Sequence, residues 1–131
     1  MRKLMIAAGL LAAGLAAGCA GCAGTGEAAG FRSISPEKAK QMMAAPGAVV
    51  VDVREPGEYA EGHVPGAVLL PLGTIDAEHA AAVIPEKDSM VLVYCRSGVR
   101  SKKGAEKLAD LGYTEVFEFG GIIQWPYETV R

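Results

Sequence analysis

Val91-Leu92-Val93-Tyr94-Cys95-Arg96-Ser97-Gly98-Val99-Arg100-Ser101 is the stretch that decides how this chain folds. Its apolar start predicts a strand, and Cys95 stands where that strand gives way to a short loop holding one glycine and two arginines. The residues that follow can be helical. The first backbone N–H groups of a helix have no intrahelical partner and carry roughly half a positive charge. They favour the thiolate, the nucleophilic form of cysteine. Arg96 and Arg100 add guanidinium groups suited to an anionic substrate. The plainer alternative makes Cys95 a small buried hydrophobe at a strand end. A structural cysteine has no need of Arg-Ser-Gly-Val-Arg-Ser behind it, whereas an anion cradle built from backbone N–H groups does.

Outward from this centre, strand and helix alternate. Phe31 to Ile34 reads as a short strand, and Ser35-Pro36-Glu37 as a helix start with a serine cap and proline in the first turn. Val49 to Val53 is apolar without alternation, the pattern of a strand buried on both faces of a parallel sheet. Asp52 interrupts it, and an unpaired carboxylate is costly to bury there. Ala67 to Leu70 reads as another strand, Asp76 to Val83 as an alanine-rich helix, and Glu115 to Phe119 as a last strand. After the loop, Ser101, Gly104, Ala105, Leu108 and Leu111 share one helical face opposite Lys102, Lys103, Glu106, Lys107 and Asp110. The alternation predicts an α/β fold with a mainly parallel sheet, its ligand site at the carboxyl ends of the strands.

Cys95-Arg96-Ser97-Gly98-Val99-Arg100-Ser101 resembles the active-site loop of rhodanese-type sulfurtransferases. Three further segments resemble that family in order: Val49 to Glu55 with its Asp-x-Arg, Gly62-His63-Val64-Pro65-Gly66-Ala67, and Gly120-Gly121-Ile122-Ile123-Gln124-Trp125. The resemblance covers about residues 31 to 126. It implies a five-stranded, mainly parallel sheet flanked by helices, with Cys95 catalytic as a persulfide. Arg96, Ser97, Gly98, Val99, Arg100 and Ser101 then form the substrate-binding loop. Asp52 and Arg54 become a structural network beneath it, and His63 a fold residue near the next strand. The implied reactants are a sulfane-sulfur donor such as thiosulfate and a thiol or cyanide acceptor, a protein thiol included. No metal or organic cofactor is implied.

Loop length weighs against a neighbouring chemistry. Cysteine phosphatases and related arsenate reductases use Cys-x5-Arg around a tetrahedral oxyanion, and this loop is Cys-x4-Arg, from Cys95 to Arg100. One residue fewer is too tight for phosphate yet able to cradle a persulfide sulfur. A non-catalytic interaction module or a sulfur carrier stays open as a third reading. His63 and His79 lie far apart with no second cysteine near either, a weak basis for a metal site. His79 reads as solvent-facing.

The ends of the chain carry other signals. Met1-Arg2-Lys3 followed by Leu4 to Ala17 has the build of a secretory signal, too short for a comfortable membrane span. Leu15-Ala16-Ala17-Gly18-Cys19 resembles a bacterial lipoprotein processing box, with leucine one place farther from the cysteine than usual. The expected organisation is a signal peptide over 1–18, lipid attachment at Cys19, a flexible glycine-rich tether over 19–30 containing Cys22, and a domain over 31–131. Export and anchoring to a bacterial membrane follow, on the periplasmic or cell-surface side. Of three cysteines only Cys95 falls in the domain, so no internal disulfide framework is available. The 131 residues carry a formal net charge of −2, and no basic patch points to nucleic acid.

Overall fold

A computed structural model of the chain describes residues 30–131. The signal segment, Cys19, Cys22 and the tether up to residue 29 lie outside the described residues. The strands are β1 (Arg32–Ser33), β2 (Val49–Asp52), β3 (Val68–Leu69), β4 (Met90–Cys95) and β5 (Glu115–Gly121). The helices are α1 (Pro36–Met42), α2 (Pro56–Glu61), α3 (Ala77–Val83) and α4 (Val99–Asp110), with 3-10 turns at Leu72–Thr74 and Ile122–Gln124. All pairings are parallel, in the order β1-β5-β4-β2-β3. This is an α/β architecture, a five-stranded parallel sheet flanked by helices.

The unbroken apolar strands are explained by cover on both faces. On one side Val51, Val91, Val93 and Cys95 pack with Ala80, Ala105 and Leu108. On the other, Val50, Leu92, Tyr94, Phe117 and Phe119 pack with Ala39 and Trp125. Helix α4 approaches closely because its inner face is small: a Cβ at Gly104 would stand 3.0 Å from Val53 Cγ1. Trp125 belongs to this core, with its indole N–H donating to Glu128 O at 3.0 Å.

Sequence and structure differ mainly at the margins. The outer strands shrink to two residues each, because β1 pairs only with β5 and β3 only with β2. Between β2 and β3 the chain forms α2, started by Pro56 and a reciprocal capping box between Glu55 and Glu58. Asp76 caps α3, accepting from the His79 N–H at 2.8 Å. Exposed His79 also pairs with that carboxylate through Nδ1. His63 stacks on Tyr59 with ring centroids 3.8 Å apart, and its backbone exchanges two hydrogen bonds with Val130 near the chain end. These contacts hold it to the preceding helix and to the C-terminal tail. Among the described residues no helix is long and apolar enough to cross a membrane.

Candidate active site

The site forms where the central strand ends. Cys95 is the last residue of β4 and pairs with Gly121 across a register shift, since Val93 opposes Glu118 two residues earlier. β5 thus fits one extra residue into the ladder, a bulge of the kind that re-aims strands beside functional sites. Gly120 takes the left-handed conformation there, with φ 92°. Gly121 then lies flat against the loop, where a Cβ would meet Arg96 O at 1.9 Å and Ser97 Cα at 2.5 Å. The loop can fold back over Cys95 only because that position has no side chain.

The loop turns on Gly98, the N-cap of α4, at φ 110° and ψ −14°. That left-handed turn, easily reached only by glycine, aims the Gly98 N–H at the cysteine. It donates to Cys95 Sγ at 2.9 Å. Cys95 itself has no exposed surface and sits in the core cluster. Arg96 and Ser97, the next residues of the loop, are exposed, and the Arg96 carbonyl accepts from Ile123 N at 3.3 Å. Val99 projects outward, 65% exposed.

The two arginines differ. Arg96 is exposed, lining an open cleft of about 360 Å³ with Arg54, Glu58, Glu61 and Ile123. Arg100 instead makes a two-pronged bond to Glu58, Nη1 to Oε1 at 2.8 Å and Nη2 to Oε2 at 3.0 Å. The hydrogen bond from Arg100, against the opposing effect of burial, pulls the Glu58 carboxyl down to about 2. Arg100 is held above its ordinary value, first by Glu58 and further by the charge of Cys95.

Beneath the loop, Asp52 and Arg54 form a buried pair. Asp52 Oδ1 accepts from Arg54 N and Nε, both at 2.9 Å, and Oδ2 from Nη2 and the Tyr94 hydroxyl, both at 2.7 Å. Arg54 Nη2 also reaches Gly62 O at 2.7 Å, and Val64 N donates to Tyr94 Oη at 3.0 Å. Burial works against the Arg54 cation, but Asp52 outweighs it and raises its affinity for the proton. Burial, helped by Asp52, pushes the Tyr94 hydroxyl far above its usual range. The network ties β2 to β4 and to the Gly62–Val64 segment immediately below the loop.

Three participants escape the sequence reading: Glu58, Glu118 and Tyr94. Glu58 carries no signal beyond its place in a helical first turn, and its partner is 42 residues away. Glu118 stands in a strand otherwise apolar, a signal of the same kind as Asp52. Among the described residues no cluster of histidine, cysteine or carboxylate side chains could hold a metal ion.

Residues 35–126 match the family model of the rhodanese-like domain. The chain is 40% identical over 72 residues to the thiosulfate sulfurtransferase PspE of Escherichia coli (strain K12), covering 55% of this chain and 68% of that protein. It is 39% identical over 108 residues to the thiosulfate sulfurtransferase GlpE of Pseudomonas entomophila (strain L48), covering 77% and 94%. Among solved structures, a rhodanese with anions from E. coli superposes with a TM-score of 0.60 at 36% identity, over 64% of this chain and 98% of that one.

Proposed function

The chain belongs to the rhodanese-like domain family, and from that premise we propose that it is a sulfurtransferase working through Cys95. The observation that carries the reading is the Gly98 N–H donating to Cys95 Sγ at 2.9 Å, at the N-terminus of a twelve-residue helix. A hydrogen-bond donor fixed on the sulfur stabilises its anionic form.

The reaction is a double displacement. The Cys95 thiolate attacks the outer sulfur of thiosulfate, the sulfur–sulfur bond breaks, and sulfite leaves with the bonding pair. Cys95 then carries a persulfide, which the loop N–H groups stabilise. A thiolate or cyanide attacks that outer sulfur and returns Cys95 as thiolate. Arg96 meets the anionic donor at the cleft, and Arg100 adds to the positive field. Asp52, Arg54 and Tyr94 hold β2 and β4 together beside the loop, and because Cys95 is buried the donor reaches it only as the loop shifts. Sulfur transfer from thiosulfate to cyanide, with intact mass taken after thiosulfate alone, tests this. Turnover and a gain of one sulfur atom, both lost in Cys95→Ala, are expected. Phosphomonoester turnover abolished by Cys95→Ser overturns it.

The enclosure of Cys95 favours one second reading, a sulfur carrier that releases its persulfide only on a partner protein. A persulfide that is stable and turns over slowly with every small thiol marks that case. We propose also that residues 1–18 export the chain and that Cys19 is lipidated, anchoring the domain through 19–30. A wild-type protein in the membrane fraction and a Cys19→Ser variant released from it are the expected pair of results.

A further inference from the structure

Glu118 is a carboxylate without a part in the displacement, yet it is only 2% exposed and lies in β5 under the first turn of α4. Each of its oxygens is engaged. Oε2 accepts from the Ser33 hydroxyl of β1 at 2.5 Å and faces Lys102 Nζ at 3.4 Å. Oε1 lies 2.8 Å from Ser101 Oγ and accepts from Gly120 N at 3.0 Å. Ser101 Oγ is also 2.9 Å from Gly98 O, its one proton shared between two acceptors. Burying a carboxylate costs several kcal/mol unless hydrogen bonds replace its water, and apolar residues fill the neighbouring positions of this strand. A leucine at 118 would pack on α4 without that cost.

The position of Oε1 explains what the carboxylate accomplishes. One of its partners, Ser101, holds the carbonyl of Gly98, the residue whose own N–H rests on Cys95 Sγ. The other, Gly120, is the bulge residue before Gly121, the backing for Arg96 and Ser97. A single oxygen therefore spans the two flanks of the sulfur loop, the helix that follows it and the strand that backs it. We propose that Glu118 is a positioning residue for Cys95: through Ser101 and Gly120 it fixes the Gly98 N–H and the Arg96–Ser97 segment relative to the sulfur. It touches no substrate and acts through the loop. The activity arm of its test rests on the sulfurtransferase reading; the exchange arm does not.

Glu118→Gln keeps one oxygen for Ser101 and Gly120 and offers an amide to the Ser33 hydroxyl. Glu118→Met keeps the length and removes both acceptors. Two quantities are read on the full chain: the rate at which Cys95 gains sulfur from thiosulfate, and amide exchange of Gly98 against that of Leu92 in the core of β4. Glu118→Met is expected to slow loading by about tenfold or more, the scale on which small misplacements reduce rates. It should speed Gly98 exchange while Leu92 stays protected, and Glu118→Gln should restore both to within about threefold. Ser101→Ala, a milder lesion, should move both in the same direction, and the Glu118→Met/Ser101→Ala double variant should be no slower than Glu118→Met, since the two act in series. A Glu118→Met protein that is less stable but loads normally with unchanged Gly98 exchange overturns the proposal. Should Glu118→Met fail to fold, unchanged loading and Gly98 exchange in Ser101→Ala overturn it alike. If the wild type gains no sulfur, the sulfurtransferase reading falls and Gly98 exchange alone judges Glu118.

Discussion

Arg100 and Glu58 face each other through two parallel hydrogen bonds of 2.8 and 3.0 Å, although 42 residues separate them. An arginine so engaged offers an incoming anion only part of its charge. Replacing Glu58 with glutamine keeps the side-chain length and releases that charge. The thiosulfate KM should fall by about two- to fivefold with kcat little changed, in line with the modest energies of partly exposed ion pairs. Arg100→Ala should raise KM. Steady-state kinetics at fixed ionic strength separates the two.

The same pair leaves a mark in acid. Glu58 titrates at about 2 in the fold against an ordinary 4.5. A carboxyl lowered on folding stabilises the native state fully above its unfolded value and loses that contribution as pH falls through its folded one. The stability gap between wild type and Glu58→Gln should be constant from neutrality to about pH 5 and close between 4.5 and 2. With both side chains about a third exposed, the gap should not exceed about 1 kcal/mol. Urea titrations across that range measure it.

Breaking the buried network should cost far more. Asp52→Ala leaves the Arg54 cation enclosed without its counter-charge, a loss of about 3–5 kcal/mol. Tyr94→Phe removes one hydrogen bond to Asp52 and the acceptor of Val64 N, about 1–3 kcal/mol. Denaturant midpoints at unchanged m-value should rank the two in that order.

Gly121→Ala tests the backing of the loop. Its Cβ would stand 1.9 Å from Arg96 O, so the loop must shift. Sulfur loading should drop by about tenfold or more, as reacting groups move out of register. Gly57→Ala is the control, since a Cβ there meets nothing within 4 Å, and it should leave loading unchanged.

The central strand, the cysteine at its end and the helix after the loop are visible in sequence because each rests on neighbouring residues. An apolar run, a Gly98 turn and small residues at helical spacing are local facts. Asp52 announces itself as a carboxylate in an apolar strand, while its pairing with Arg54 comes only as what the family resemblance implies. Glu58 and Glu118 are not legible, because what defines them is a partner brought close by the fold: Arg100 for one, Ser33 and Ser101 for the other. The enclosure of Cys95 also escapes, for it depends on Gly121 approaching from another strand. Pattern locates the reactive atom; the surroundings that govern it are assembled in three dimensions.

The sheet joins its first strand to its last, Arg32 opposite Phe117 in parallel register. During synthesis β5 is therefore the final piece to arrive, and until then β4 has one bare edge and β1 has no neighbour. In that interval the growing chain displays an unpaired strand edge, the feature that invites pairing with foreign chains. Its cysteine, not yet backed by Gly121, is uncovered in the same interval. Pairing of β5 thus closes an edge open to foreign strands and, through Gly121, backs the loop that holds the cysteine.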